Sequence, residues 1–354
     1  MQPSDDDDVR NLMRKFGAST DRYREIEVAR VFAEKPLPAP DYPHSPTPIP
    51  ATEPPRVPAA EPTMAGQNPS PPLRTLLGDL VRQRQAQSGQ PRQVTAMPQV
   101  AARIVAVVST RGGVGRSTLA SLLAVLLNSA DRQALVLELD PQNAQHQHLG
   151  ILPQATGICR ASLEGRGWQD LAKSGYASTR LLAFGESEPQ QLHTLERQLE
   201  NDPHWLARHL ATLGLGAHDT LIIDTAAGSS VFQEQALHMA DLIIAVVRPD
   251  AASHAALDHL VSTLAPHLGG ERPATCRFVI NGVDSSHGLS VDIAQILENQ
   301  LKPQLLGTVA WDEAISEALA YECNPFEQAA DAQGCRDILA IADKLHDQLE
   351  PRLP

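Results

Sequence analysis

The stretch with the clearest chemistry is a glycine-rich loop, RGGVGRST, over residues 111–118. Its glycines, Gly112, Gly113 and Gly115, let the backbone wrap closely around an anion, so that N–H groups face a phosphate. The apolar run RIVAVV precedes the loop and the helical run LASLLAVLL follows it. This context favours a phosphate site over a turn that merely needs glycine. Ser117 stands where its hydroxyl can hold Mg²⁺.

Short apolar segments alternate with helical stretches from residue 103 onward. The segments RIVAVVS, ALVLEL, RLLAFG, TLIIDT, LIIAVVR, RFVIN and LLGTVA are rich in Val, Ile and Leu. They do not alternate with polar residues, which is typical of strands buried on both faces. Periodic stretches such as SVDIAQILENQL lie between them and indicate helices. The pattern predicts an α/β fold with a mostly parallel β-sheet flanked by helices on both faces.

Composition limits the partners and the metal chemistry. A formal net charge of −13 at pH 7 disfavours direct nucleic acid binding and attraction to anionic lipid. The four cysteines form no paired ligand motif, and His146 and His148 lack a third ligand, so we interpret the histidine pair as a solvated loop. The N-terminus has no signal-peptide pattern, and no apolar run approaches the ~18 residues of a membrane span. We expect a cytoplasmic protein without an intrinsic membrane anchor.

The first 95 residues differ in character from the rest. In VRNLMRKF, within residues 1–35, apolar residues recur at the spacing of one helical face, which predicts a short helical segment. Residues 36–95 are rich in proline and predict a semi-stiff linker, with a second short amphipathic helix near 73–84. We therefore predict a largely disordered N-terminal extension and a nucleotide-binding domain over residues 96–354.

Four stretches together resemble one superfamily. The loop resembles the deviant Walker A motif, K-G-G-x-G-K-[ST], of the dimerising MinD/ParA ATPases. LVLELDPQNA resembles the switch I stretch D-x-D-P-Q-G-N, TLIIDTAAGS resembles the Walker B and switch II stretch D-T-P-P-G, and LLGTVAWDEAISEALAYECNPFEQA resembles the closing L-G-x-I-P-x-D segment. The resemblance covers residues 103 to about 345.

Within that superfamily, the chain is most similar to the BcsQ family of bacterial cellulose-synthesis operons. The similarity lies in RGGVG, SLEGRGWQDLA and the following RLLAFG. The N-terminal stretch DVRNLMRKFGASTDRYREIEVAR resembles the small BcsR/BcsP family of the same operons. A fusion of the two would hold the small partner at high effective concentration through the linker.

The superfamily resemblance implies a role for each residue that matches a motif. It implies that the nucleotide is bound by Gly112, Gly113, Val114, Gly115, Arg116, Ser117 and Thr118. Arg111 would reach across a sandwich dimer to the partner's phosphates, and Asp140 would orient the attacking water. Ser117 would hold Mg²⁺, Asp224 would support the ion through a hydroxyl or water, and Asn281 would contact the adenine of ATP.

Arginine replaces both lysines of the family motif. Arg111 can do the lysine's work, because a guanidinium that crosses between subunits has the geometry of an arginine finger. Arg116, expected on the β- and γ-phosphates, brings a bulkier planar fork to that place. We expect nucleotide affinity, hydrolysis or both to be lower, so any ATPase activity is weak. Switch I also carries Glu138 in place of the first aspartate.

Alternatives remain for the nucleotide and for the function. NGVD, residues 281–284, has the spacing of the guanine-reading N-K-x-D motif, but Gly282 replaces its lysine and the superfamily favours ATP. The favoured function is a regulatory subunit that forms a homodimer with ATP and binds cellulose synthase subunits at the inner membrane. The second is a positioning ATPase that cycles on DNA or membrane. The third is a metabolic enzyme, such as a small-molecule kinase, on the same scaffold.

Overall fold

We describe the protein from a computed structural model. The structure describes residues 98–109, 111–153, 156–269 and 272–349. The helical segment predicted within residues 1–35, the linker over 36–95 and the helix near 73–84 lie outside the described residues.

Eight strands form one sheet with the order β3-β4-β2-β5-β1-β6-β7-β8. The strands are β1 (Arg103–Val108), β2 (Ala134–Leu139), β3 (Lys173–Ser174), β4 (Arg180–Leu182), β5 (Thr220–Thr225), β6 (Leu242–Val247), β7 (Thr275–Val283) and β8 (Leu305–Ala310). Seven of them are the strands predicted from the apolar segments. The two-residue strand β3 was not predicted, and it alone in the described sheet runs antiparallel to its neighbour.

Helices connect the strands in the described part of the chain. They are α1 (Arg116–Leu127), α2 (Gln145–His148), α3 (Ile158–Leu163), α4 (Pro189–Asn201), α5 (Trp205–Ala211), α6 (Val231–Met239), α7 (Ala251–Leu264), α8 (Gly288–Leu301), α9 (Glu313–Ala320), α10 (Pro325–Gln328) and α11 (Gln333–Gln348). Two 3₁₀ turns, Tyr176–Ser178 and Ala265–His267, complete the described elements.

The sheet separates two apolar cores, as the non-alternating strands predict. In β1, Ile104 and Ala106 pack into the core beneath helices α3 to α8, whereas Val105 and Val107 pack into the core beneath α1 and α11. Both sets of side chains are almost fully buried. The predicted α/β class, with helices on both faces of a mostly parallel sheet, is confirmed.

Pro203 interrupts residues 191–215, where apolar residues recur at helical spacing, and divides them between two helices. Asp202 has an extended backbone, as expected before a proline, and it separates α4 from α5. Trp205 begins α5 and packs edge-on against Trp168, with ring centroids 5.3 Å apart. The break therefore lets the second helix turn its aromatic residue into the core.

The C-terminal helix α11 buries its apolar face inside the domain. Ile338, Ile341 and Leu345 are buried in the core that α11 shares with α1. Gly307 of β8 allows this close approach, because a Cβ atom there would lie 2.6 Å from Cγ1 of Ile341. Among the described residues, no helix has the length and apolar character to cross a bilayer.

Substitution of Gly157 by alanine tests the contact that closes α3 onto the end of β4. A Cβ atom there would lie 2.4 Å from the backbone of Phe184 and Gly185, so the backbone must shift. We expect Gly157→Ala to lower the free energy of unfolding by about 1–3 kcal/mol in urea titrations. Gly288→Ala is the control, because nothing lies within 4 Å of that position. Equal stability of the two variants would contradict this packing.

Candidate nucleotide-binding site

The predicted site residues meet at one edge of the sheet. Strands β2, β5 and β1 are adjacent and parallel, so their carboxyl ends lie side by side. Asp224 of β5 pairs in register with Val107 of β1 and with Glu138 of β2. The loop that follows β1 and Asp140, which follows β2, therefore converge on Asp224.

The glycine loop has the backbone that its sequence predicts. Gly113 and Gly115 have φ values of 74° and 82°, a conformation that favours glycine. At Gly115 a side chain is also excluded by space, because a Cβ atom would lie 2.2 Å from Nδ2 of Asn281. That same nitrogen donates a 2.7 Å hydrogen bond to the carbonyl oxygen of Val114. This hydrogen bond from Asn281 of β7 holds the loop in its conformation.

Arg116 lies beneath the loop in a buried ion-pair network. Its Nε donates to Asp224 Oδ1 at 2.8 Å and its Nη2 donates to Asp140 Oδ2 at 2.7 Å. A third, longer hydrogen bond of 3.3 Å runs from Nη1 to the hydroxyl of Ser109. Arg116 is only 7% exposed, and both carboxylates are buried. The guanidinium thus binds the two acidic groups that the family resemblance assigns to water and metal.

The remaining oxygens of these carboxylates are also engaged. Asp224 Oδ2 accepts a 2.8 Å hydrogen bond from Nε2 of Gln145, and Asp140 Oδ1 accepts one of 3.0 Å from the backbone N–H of Gln142. Gln145 Nε2 also donates to the carbonyl oxygen of Ser117 at 3.0 Å. Removing one partner of such a buried network costs about 3–5 kcal/mol, because it leaves an uncompensated charge.

This arrangement does not fit a magnesium ion held by Ser117 and Asp224. Mg²⁺ in nucleotide sites is held through one or two carboxylates. Here both oxygens of Asp224 already accept hydrogen bonds, one of them from a guanidinium. A divalent cation at Asp224 would lie beside the positive charge of Arg116. The ligand role of Ser117 and Asp224 therefore stays a prediction that the observed contacts do not favour.

Glu138 adds a third acidic group beneath the site. It is fully buried, and its carboxylate oxygens accept backbone hydrogen bonds from Gln145 at 2.8 Å and Phe184 at 3.4 Å. Burial raises the pKa of Glu138 from 4.5 to about 8, and the nearby charge of Asp224 adds to the increase. A neutral Glu138 spares the site a further negative charge at neutral pH.

Arg111 is held within its own chain. Its Nη2 pairs with Asp250 and its Nε donates to Ser253 Oγ at 3.2 Å, both at the N-terminus of α7. Asp250 caps α7, since its side chain accepts from the backbone N–H of Ser253. Arg111 and Asp250 are more than a third exposed. The cross-subunit role of Arg111 therefore requires this surface ion pair to open.

A cavity of about 130 Å³ opens beside the glycine loop. A cavity near 150 Å³ accommodates benzene, so this space suits a ring system. The loop supplies one wall and Asn281 lies between the loop and the opposite wall. On that wall the guanidinium of Arg248 stacks 5.0 Å above the ring of Trp311, while Arg248 Nη1 donates to the carbonyl oxygen of Gly113 at 3.3 Å.

Two sequence interpretations can be compared with the structure here. Asp284 of NGVD does not line the cavity, and its carboxylate accepts hydrogen bonds from Ser286 and contacts His287. The motif spacing alone therefore does not make a guanine site. His146 and His148 lie in the short helix α2 and are partly buried, so their interpretation as a solvated loop was wrong. Burial lowers the pKa of His148.

Sequence reasoning missed several residues that build this site. They are Ser109, Gln145, Arg248, Asp250, Ser253 and Trp311. Trp311 lies within the closing segment LLGTVAWDEAISEALAYECNPFEQA, but the resemblance assigns it no role, and the other five lie outside the four motif stretches. Gln145 directly follows the switch I stretch LVLELDPQNA, and its proximity to Asp140 was the one signal that could have indicated it.

Known proteins resemble the chain in sequence and in fold. The family model described as cellulose biosynthesis protein BcsQ matches residues 102–345. BcsQ of Escherichia coli K12 is 26% identical over 249 residues, which cover 68% of this chain and 92% of the relative. The septum site-determining protein MinD of Pyrococcus horikoshii, complexed with Mg-ADP, has 18% identity and a TM-score of 0.57, with coverage of 69% and 96%. A putative plasmid partition protein of Borrelia burgdorferi, bound to AMPPNP, has 21% identity and a TM-score of 0.56, with coverage of 70% and 99%.

The parallel sheet, the glycine loop after β1 and these likenesses define the fold of the MinD/ParA class of P-loop ATPases. Members of that class have been solved with Mg-ADP and with AMPPNP. By its sequence, the chain belongs to the BcsQ family. The match begins at residue 102, so the resemblance of the N-terminal stretch to BcsR/BcsP stays a prediction.

The raised pKa of Glu138 predicts how stability depends on pH. Between pH 4.5 and about 8 the folded chain holds a proton on Glu138 that the unfolded chain has lost. The free energy of unfolding should therefore fall as pH rises, by about 1.4 kcal/mol per pH unit from this group. Glu138→Gln should remove this part of the decline, as measured by urea unfolding at pH 5, 6, 7 and 8. Glu200→Gln, at an exposed position, should follow the wild type; a Glu138→Gln curve that also runs parallel to it would refute the assignment.

Proposed function

We propose that this chain is an ATP-binding regulatory or assembly protein of a bacterial cellulose synthase complex, acting as a nucleotide-dependent dimeric switch or scaffold. The observation that carries the proposal is a glycine loop, with left-handed Gly113 and Gly115, that opens onto a ring-sized cavity. The cellulose context is supported by membership of the BcsQ family. In this proposal the phosphates lie on the backbone of the loop and the base lies in the cavity beside Asn281 and Trp311.

Arg116 sets the character of the proposed switch. Its guanidinium pairs with both Asp140 and Asp224, so it supplies positive charge beneath the loop at the place where a metal ion would otherwise supply it. Asp140 in this network accepts from both Arg116 and Gln142, which leaves it poorly suited to orient an attacking water. We infer that nucleotide binds without a strict need for Mg²⁺ and that hydrolysis is slow or absent.

The positioning-ATPase alternative has less support. A MinD-like attachment needs a basic amphipathic C-terminal helix that is available to the membrane. In α11 the apolar residues Ile338, Ile341 and Leu345 are buried in the domain core. A ParA-like mode needs a basic surface for DNA, whereas the formal net charge of the chain is −13. We therefore place the partners of this chain among cellulose synthase subunits at the inner membrane.

Light scattering tests the dimeric switch. We expect the full chain to change from one copy to two with ATP and to remain unchanged with GTP. Arg111→Ala should abolish the change. In the wild type the guanidinium would leave Asp250 and reach the partner's phosphates, and the variant lacks that guanidinium. Arg160→Ala is the matched control, since it removes an exposed arginine from a surface ion pair with Glu164. A mass that ignores ATP would refute the switch and favour a permanent scaffold.

Calorimetric titration with ATP tests the role of Arg116. For the wild type we expect the Kd to differ by less than about threefold between Mg²⁺ and EDTA. Arg116→Lys should raise that ratio to at least about tenfold. A lysine ammonium cannot reproduce the fork that binds both carboxylates, so the exchange frees Asp224 for a metal. Arg208→Lys, an exposed exchange, should behave as the wild type. Strong Mg²⁺ dependence of the wild type would show that Arg116 does not replace the metal.

A further inference from the structure

A second cluster of metal-binding side chains lies away from the glycine loop. Glu234 and His238 project from α6 one helical turn apart, and His267 ends the 3₁₀ turn that follows α7. The carbonyl oxygen of His267 accepts from the backbone N–H of Ala274, the residue directly before β7. The helix α6 likewise ends just before β6. The cluster therefore lies at the edge where the strands begin, opposite the nucleotide site.

The three side chains are close enough to share one ion. One ligand atom from each residue lies within 4.8 Å of the others. Nε2 of His267 is 3.5 Å from Glu234 Oε2. Nδ1 of His238 is 3.6 Å from Glu234 Oε1 and donates a 2.9 Å hydrogen bond to the backbone carbonyl oxygen of Glu234, so His238 would bind an ion through Nε2. Ligands that bind tetrahedral zinc at 2.0–2.1 Å are separated by about 3.3 Å. Only small side-chain movements separate the cluster from that geometry.

A buried nitrogen of His267 indicates, independently of the ligand distances, that the cluster binds an ion. Its side chain is 5% exposed, and its Nε2 has no hydrogen-bond partner. The contact with Glu234 is too long for a good hydrogen bond, and a buried nitrogen without a partner costs about 1–3 kcal/mol. The ring of His238 lies edge-on to that of His267, with centroids 5.0 Å apart. The unpaired nitrogen thus lies on the side of the ring that contacts Glu234.

We propose that Glu234, His238 and His267 bind one Zn²⁺ ion. Two imidazoles and a carboxylate form a ligand set that suits zinc, and three protein ligands leave a fourth position for water. Glu234 and His238 are half exposed, so solvent reaches that position. The ion joins α6 to the 3₁₀ turn that follows α7, and both helices pack on the same face of the sheet.

The test uses the full chain after removal of metal with a chelator. Titration with Zn²⁺ should show one ion per chain, and Co²⁺ in its place should give the strong visible bands of a four-coordinate site without a sulfur-to-cobalt charge-transfer band. Loss of an outer-shell partner of a metal ligand costs 10–100-fold in affinity, so loss of a ligand should cost at least about 100-fold. We expect this loss for Glu234→Gln and for His238→Gln, which alter half-exposed side chains and leave the buried His267 in place.

Two controls separate this site from casual binding by surface histidines. His254→Gln and His259→Gln remove exposed histidines of α7 and should leave Zn²⁺ affinity unchanged. Zinc should also raise the midpoint of thermal unfolding of the wild type but not of His238→Gln. Absence of stoichiometric binding, a cobalt spectrum with sulfur ligation, or equal affinity in the Glu234→Gln and His238→Gln variants would each overturn the proposal.

Discussion

The site depends on one buried positive charge. Arg116 places a guanidinium between Asp140 and Asp224, two carboxylates that would repel each other without it. Because the three groups come from the loop after β1, the end of β2 and the body of β5, their pairing holds three adjacent strand ends together. Gln145 completes the network by bridging Asp224 to the first turn of α1. The neutral state that burial imposes on Glu138 keeps the total charge of this region small.

The two arginines of the loop differ in consequence because they differ in burial. Arg116 is enclosed, and its partners cannot be replaced by water without a large cost in free energy. Arg111 lies at the surface, where its ion pair with Asp250 is screened and contributes little to stability. One arginine is therefore suited to a permanent structural charge and the other to a contact that opens. This division is consistent with a protein that binds nucleotide and dimerises while it hydrolyses slowly.

Helix α6 connects the two edges of the sheet that carry sites. It begins immediately after the loop that follows Asp224, where Gly228 donates to the carbonyl oxygen of Ser109. Ser230 caps its first turn by accepting from the backbone N–H of Gln233. Its last residues lie near the proposed zinc cluster. Because Phe232 and Leu237 are buried in the core, the helix is held along its length. Helix α6 thus follows the switch II region and carries two of the three proposed zinc ligands, Glu234 and His238.

The sequence by itself determined seven of the eight described strands, the glycine loop and the family, whereas the tertiary structure decided how the charges are paired. Apolar runs identify buried strands and glycines identify the loop because these signals are local: they depend on neighbouring residues and their preferred backbone angles. The partners of Arg116 stand 24 and 108 residues away, and Asp250 stands 139 residues from Arg111. The order of parallel strands brings such groups together, and no local pattern encodes that order. For the same reason the resemblance in sequence predicted that Arg116 contacts the phosphates, whereas in the fold it pairs with two carboxylates.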